Sequence, residues 1–298
     1  MSKLLSAEDG EMEEVALLES PVKPVCRYCG AFVVVRFGLT PNRKRQRYLC
    51  RNCYKTFTDN GAAPGMRYPS LVIASALNQF YEAASLHWVC RHLMLQYGMQ
   101  PDHANIRRWI SRYTRQAVIA LSGARAQVGK IWAASETRIM TRASMSRAVW
   151  LWDIVDIETR FLLATGFSMK KSVLDFGVLL DLATRRTNTW PDVILTDELI
   201  PQIGATQGQL VAGREGMAAS SFTVRVSTGQ ARRILGVLRD RSQILQRLGN
   251  RNTAHLAVSG WAVHYNFFRP HPRLGGKTPA EAAGVQSPLK NWADVVEM

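Results

Sequence analysis

Long apolar runs, cysteines and acids are all scarce in this 298-residue sequence. No stretch approaches the ~18 consecutive apolar residues that cross a bilayer, which argues against a membrane-spanning helix. The first 20 residues also lack the basic and apolar regions of a secretory leader: Glu8, Asp9, Glu11, Glu13, Glu14 and Glu19 crowd them against Lys3. A cytoplasmic location is expected on both counts. Four of the five cysteines fall in two Cys-x-x-Cys pairs, which in a reducing compartment points to a metal rather than to disulfides. Cys90 sits in an apolar helical pattern and reads as a core residue.

The shortage of acids is the largest departure from ordinary composition. Asp and Glu number 23 against 38 Lys and Arg, a formal net charge of +15. Residues 1–20 carry −5 of that, so +20 falls on the remainder. A surplus of this size suits a polyanion, nucleic acid being the commonest, with a solubility role as the plainer reading. The length allows two or three folded units.

Residues 1–23 read as an acidic arm. From 24 to 60, Cys26-Arg-Tyr-Cys29 and Cys50-Arg-Asn-Cys53 are separated by twenty residues. That is the spacing of a four-cysteine zinc ribbon, in which two knuckles close a tetrahedron around one structural ion. An iron centre or a redox pair is the competing reading. So small a module folds only with its ion. Between the pairs, Arg36, Arg43, Lys44, Arg45 and Arg47 concentrate positive charge, either on a solvated loop or on a β-hairpin laid against phosphates. Gly61-Ala-Ala-Pro64-Gly65 is a breaker-rich linker.

Residues 66–122 carry three helical patterns, over Leu71–Ala83, Leu86–Tyr97 and from Pro101 or Asp102 onward. The third places Ile106, Trp109, Ile110 and Tyr113 at i, i+3, i+4 and i+7. Its other face holds His103, Asn105, Arg107, Arg108, Arg112 and Arg115. This is a helix-turn-helix layout, whose last helix enters the major groove of double-stranded DNA; a merely solvated basic face is the alternative. Strand-like runs follow near Ile131–Ile139, Ala148–Val155 and Phe161–Phe167, then a helix near Ser172–Arg186, a strand at Pro191–Thr196 and a basic helix from about Thr223 to Leu248. Asp156 reads as a turn residue, and His264 and His271 as structural histidines.

Trp132-Ala-Ala-Ser-Glu-Thr137, Leu195-Thr-Asp-Glu198 and the stretch Trp261–Val285 together resemble the integrase-type core of insertion-sequence DDE transposases. The resemblance covers about residues 24–286. It implies an α+β multidomain chain: the zinc ribbon, the all-α helix-turn-helix domain, an RNase-H-like α/β core with a mixed sheet over 128–250, and a C-terminal helical extension over 251–298. It also implies binding to double-stranded DNA at terminal inverted repeats, a homodimer, and a nucleoid-associated location. The family's motif Trp-x-x-Asp-Glu-Thr has Ser135 in its aspartate slot. Asp197 is retained. The third acid follows the second by about 34 residues in the family, and 34 residues intervene between Asp197 and Arg232. The segment from Arg232 resembles the family's Glu-Arg-x-His-x-x-x-(Lys/Arg)-x-Arg helix, with Leu235 where a His often sits.

Those replacements bear on chemistry. Family members displace at phosphorus with two divalent cations, which need hard oxygen ligands. Ser135, Asp197 and Arg232 sum to zero charge, and a guanidinium stays protonated. At about 4 Å from a Mg²⁺ site it costs several kcal/mol even at an effective dielectric of about 20. Magnesium and strand cleavage are therefore not expected, which leaves a repressor, an architectural factor or an accessory protein, whether domesticated or a decayed copy. Arg232 is expected within about 4 Å of Asp197 as an ion pair. The alternative is an active transposase with a rearranged two-metal site recruiting Glu136 or Glu198.

Overall fold

β-Branched and aromatic residues draw Val34–Leu39 (β1), Gln46–Cys50 (β2) and Thr56–Thr58 (β3) into an antiparallel sheet in that order. The computed structural model describes residues 24–41, 46–58, 67–139, 149–168, 173–196, 222–227, 229, 233–236, 244 and 251–298. The chain divides into two compact units, Met1–Arg67 and Tyr68–Met298. In the first, Cys26, Cys50 and Phe57 form the buried cluster, with Ala31, Val34, Tyr48 and Cys53 against it. So small an apolar core supplies little stability of its own.

The second unit begins with α1 (Ser70–Tyr81), α2 (Leu86–Tyr97) and α3 (His103–Leu121). Ser85 caps α2 by accepting from Trp88 N at 3.2 Å, and Gly98 ends it in the left-handed conformation at φ 63°. Asp102 caps α3, accepting from Asn105 N at 2.6 Å. Ile106, Trp109, Ile110, Tyr113, Ala117 and Leu121 form the buried stripe of α3.

Next come β4 (Ile131–Ile139), β5 (Val149–Asp156), β6 (Leu162–Ser168), α4 (Val173–Thr187), β7 (Val193–Thr196) and β8 (Thr223–Val226). The five strands form one mixed sheet in the order β6-β5-β4-β7-β8. β4, β5 and β6 are an antiparallel meander; β7 runs parallel to β4, and β8 parallel to β7. Trp152 meets Phe176 of α4, and on the other face Ile139 and Leu151 meet Val258 of α5 (Arg251–Val263). The expected helix start near Thr223 is corrected here: Thr-Val-Arg-Val is extended and pairs with β7, because β-branched residues suit a strand beside an open edge. Most of the remaining stretch to Leu248 lies outside the described residues. No helix among those described is long and apolar enough to cross a membrane.

α5 continues as a π-helical turn, His264–Phe268, followed by a 3-10 turn at Pro272–Leu274, α6 (Pro279–Ala282) and α7 (Trp292–Glu297). Asn266 is buried and both accepts from Leu162 N at 2.8 Å and donates to Leu162 O at 3.0 Å, mimicking a strand partner on β6. Asp156 accepts from Gly129 N, Thr159 N and Thr159 Oγ1, holding the β5–β6 turn.

α5 crosses α3 at Gly260. A Cβ there would lie 2.6 Å from Thr114 Cγ2 and closer still to Tyr81 Oη, and those two hydroxyls share a hydrogen bond. Beside this crossing the buried His264 uses both ring nitrogens. Nδ1 accepts from Trp292 Nε1 at 3.2 Å, which leaves Nε2 as the N–H that donates to Glu82 Oε1 at 3.0 Å. Arg269 Nη2 adds a contact with Glu82 at 3.4 Å. Burial holds the His264 pKa below the ordinary imidazole value of 6.5, and the hydrogen bond from His264 holds the Glu82 carboxyl below 4.5.

Two outcomes follow from this packing. Gly260→Ala is expected to cost about 1–3 kcal/mol or more, because its methyl meets buried rings and cannot be accommodated by surface rearrangement; thermal denaturation reads it. Stability is expected to be full above about pH 6.5 and to fall below it. There the unfolded chain protonates His264 while the folded state resists, and Glu82 adds to the loss at lower pH as it is protonated. Denaturant titrations between pH 4 and 8 measure this, and His264→Gln should remove the first part of the slope.

Candidate functional site

The two cysteine knuckles repeat each other atom for atom along the backbone. Gly30 N donates to Cys26 O at 2.8 Å and Tyr54 N to Cys50 O at 2.9 Å. Cys26 N donates to Ala31 O at 2.9 Å and Cys50 N to Lys55 O at 3.1 Å. The residue after each second cysteine is left-handed, Gly30 at φ 71° and Tyr54 at φ 57°. Tyr54 accepts this conformation with its side chain in solvent.

This geometry aims four sulfurs at one point. Cys26 and Cys53 Sγ are 3.6 Å apart, as are Cys29 and Cys50 Sγ, and all four lie within 4.8 Å of one another. A tetrahedral ion with metal–sulfur bonds of about 2.3 Å requires sulfurs about 3.8 Å apart, whereas a disulfide requires about 2.05 Å. The donor set therefore fits one structural metal ion and is closed, leaving no open position for catalysis. Asn52 Nδ2 donates to Cys29 Sγ at 3.6 Å.

Of the basic residues in this unit, Arg36 is exposed on β1. Arg47 lies with its guanidinium 5.5 Å from the Phe37 ring centroid and its Nη2 donates to Thr56 Oγ1 at 3.3 Å, so it ties the three strands together. Arg43, Lys44 and Arg45 lie outside the described residues.

On α3, His103, Arg107, Arg108, Arg112 and Arg115 are exposed and Asn105 is half-buried. Arg108 Nη2 donates to Asn105 Oδ1 at 2.5 Å, and Arg112 lies 5.4 Å from the Tyr113 ring centroid. A groove of about 890 Å³ between α2 and the start of α3 includes Arg91 and His103 in its walls. The helix thus presents one face of cations and polar groups while its other face is sealed in the core.

Ser135 is buried in β4, 7% exposed, and pairs across to Asp153 of β5, which is 1% exposed. Directly opposed residues share a sheet face, so a carboxylate remains beside the serine, one strand over. Sequence reasoning misses Asp153; its one signal there is a lone acid inside the apolar run Val149–Val155. Glu136, next along β4, belongs to the other face, since the strand continues to Ile139 and its side chains alternate. β7 ends at Thr196, and Asp197, Glu198 and Arg232 lie outside the described residues, as does the expected ion pair between Asp197 and Arg232. His264 and His271 are engaged structurally, the latter accepting from Arg273 N at 3.3 Å.

No protein-family model and no curated protein matches the chain.

The metal centre can be checked directly. Chelation is expected to release one divalent ion per chain and abolish the circular dichroism of the first unit, and Cys50→Ser should do the same. Gly30→Val forces a β-branched residue to a positive φ, at a cost of about 1–2 kcal/mol, which should weaken ion affinity about 5- to 30-fold in a chelator competition.

Proposed function

We propose that the protein is a double-stranded DNA-binding member of the insertion-sequence DDE transposase type that no longer cleaves strands. It would act as a repressor, an architectural factor or an accessory protein. The observation that carries the proposal is the outer face of α3: four exposed arginines behind His103 and Asn105, on a helix whose inner stripe is fully packed. Phosphates would position this face through the arginines, and its first turn would meet base edges. The metal would be zinc, holding the cysteine unit as a ribbon whose basic strands add phosphate contacts. Terminal inverted repeats and a homodimer are the matching substrate and assembly.

The sheet supports the core assignment. Numbered along the sheet's own strands, its order is 3-2-1-4-5, with a leading antiparallel meander and the fourth strand parallel to the first. That is the arrangement expected of an RNase-H-like core. Ser135 then sits at the first acid's position, on a strand adjacent to the one that runs directly into Asp197 in sequence. A hydroxyl there supplies no charge to hold Mg²⁺, and Arg232 in sequence adds a cation rather than a ligand.

One observation favours a second reading. Asp153, opposite Ser135 on the same face, could furnish the missing carboxylate of a rearranged two-metal site from the neighbouring strand.

A duplex selected from a random pool is expected to bind the full chain with an affinity that falls steeply with salt, read by fluorescence anisotropy. Replacing an arginine that meets phosphate, Arg112→Ala, should lower the salt slope by about 1, whereas truncating a side chain that reads a base from the first turn should cost about 1–3 kcal/mol on the selected site alone. The same labelled duplex is expected to stay intact with Mg²⁺ or Mn²⁺. Nicking that disappears in Asp153→Asn would overturn the non-cleaving reading in favour of the second.

A further inference from the structure

At the far end of α3 from His103, a cleft of about 510 Å³ opens between the end of that helix, strand β6, α4 and α5. From Asn105 to Val118 the helix rises about 20 Å, so the cleft is remote from the first turn of α3. β6 is one of the two edge strands of the sheet among the described residues. The volume falls within the range of about 300–1,000 Å³ usual for small-ligand sites. Its walls include Val118, Leu163 and Val263; its charged lining residues are Arg125, Arg185 and Arg186, with no acid among the described residues that line it.

Asp181 pairs with Arg185 at 2.8 Å and offsets one of the three charges. Arg186 is different. Its guanidinium is drawn over the buried Phe161 ring, 4.9 Å from the centroid, and Nη1 makes one long bond, 3.4 Å, to Leu163 O. Among the described residues it meets no carboxylate. A guanidinium has five N–H donors, and desolvating it is favourable only where an anion or acceptors use them. Burial accordingly pushes its pKa below the ordinary guanidinium value. Residence in the last turn of α4 explains a cation near the helix's carbonyl end. It does not explain why Arg186 is half-buried against an aromatic ring, nor why Arg125, from the segment after α3, lines the same cleft.

We infer that this cleft binds a phosphate ester with an apolar, planar body, that is, a nucleotide unit: Arg125 and Arg186 take the phosphate, and the apolar walls take the base. Arginine suits the role because its planar fork matches phosphate oxygens in pairs. The same chemistry is offered by a free nucleotide and by the phosphorylated terminal nucleotide of a DNA strand. The site does not depend on the outer face of α3 meeting a duplex.

The test is calorimetric titration of the full chain, at constant ionic strength, with deoxyadenosine monophosphate, deoxyadenosine and inorganic phosphate. The monophosphate is expected to bind saturably and at least tenfold more tightly than either fragment. R125Q should weaken it at least fivefold while leaving the thermal midpoint of the unliganded protein unchanged, since Arg125 is exposed; R186Q should weaken it further. Displacement of the bound nucleotide by a short 5′-phosphorylated oligonucleotide, but not by its 5′-hydroxyl form, assigns the site to a strand end. Displacement by neither assigns it to free nucleotide, and both outcomes uphold the site. A monophosphate no tighter than inorganic phosphate, or binding that is unmoved by R125Q and R186Q and abolished instead in Arg107→Ala on α3, would overturn it.

Discussion

The absence of a side chain at Gly260 lets α5 descend onto Tyr81 and Thr114, and the second unit is organised around that approach. Once the helices are this close, Tyr81 stacks on Trp292, His264 bridges Trp292 to Glu82, and Arg269 closes on the same carboxylate. The π-helical turn that follows aims Asn266 at the Leu162 peptide of β6. A single packed column therefore joins the three N-terminal helices to the sheet, with α5 common to both. The proposed reading helix is in consequence not a tethered module but part of the body that carries Ser135 and Asp153.

The two units hold together by different means. The cysteine unit has a three-residue buried cluster and four cysteine sulfurs placed so that they could hold one metal ion. The second unit buries Trp132, Trp152, Trp261 and Trp292 in its core. This division explains where function can sit. The packing stripe and the Asp102 cap fix α3, and its exposed arginines add mutual repulsion that a polyanion or salt relieves.

The sequence is legible where the constraint is local. Cysteine spacing points to a metal site; a capping aspartate and an i, i+3, i+4, i+7 stripe define α3; the strand-like run Ile131–Ile139 marks β4 to its end residues. It fails where pairing is distant. Arg225, Arg232 and Arg239 suggest a basic helix from Thr223, but the parallel neighbour that claims Thr223–Val226 is 30 residues upstream at Val193. Asp153 gains meaning only when the β4–β5 register places it against Ser135. Gly260 and Asn266 look unremarkable in sequence because what they touch, Tyr81 and Leu162, lies far off along the chain. Arg186 likewise reads as the end of a helix until the Phe161 ring and the Leu163 carbonyl of β6 come against it.

The proposal thus joins an intact binding face to a first-acid position held by a buried serine. Hydroxyl-radical footprinting on the selected duplex, at physiological salt with Mg²⁺ present, tests that pairing most directly. A short protected segment on unbroken strands, erased in the Arg107→Ala, Arg108→Ala double variant, is the predicted result. Uniform protection indistinguishable from that of a random duplex, or a protein-dependent break at a fixed position, would contradict the account.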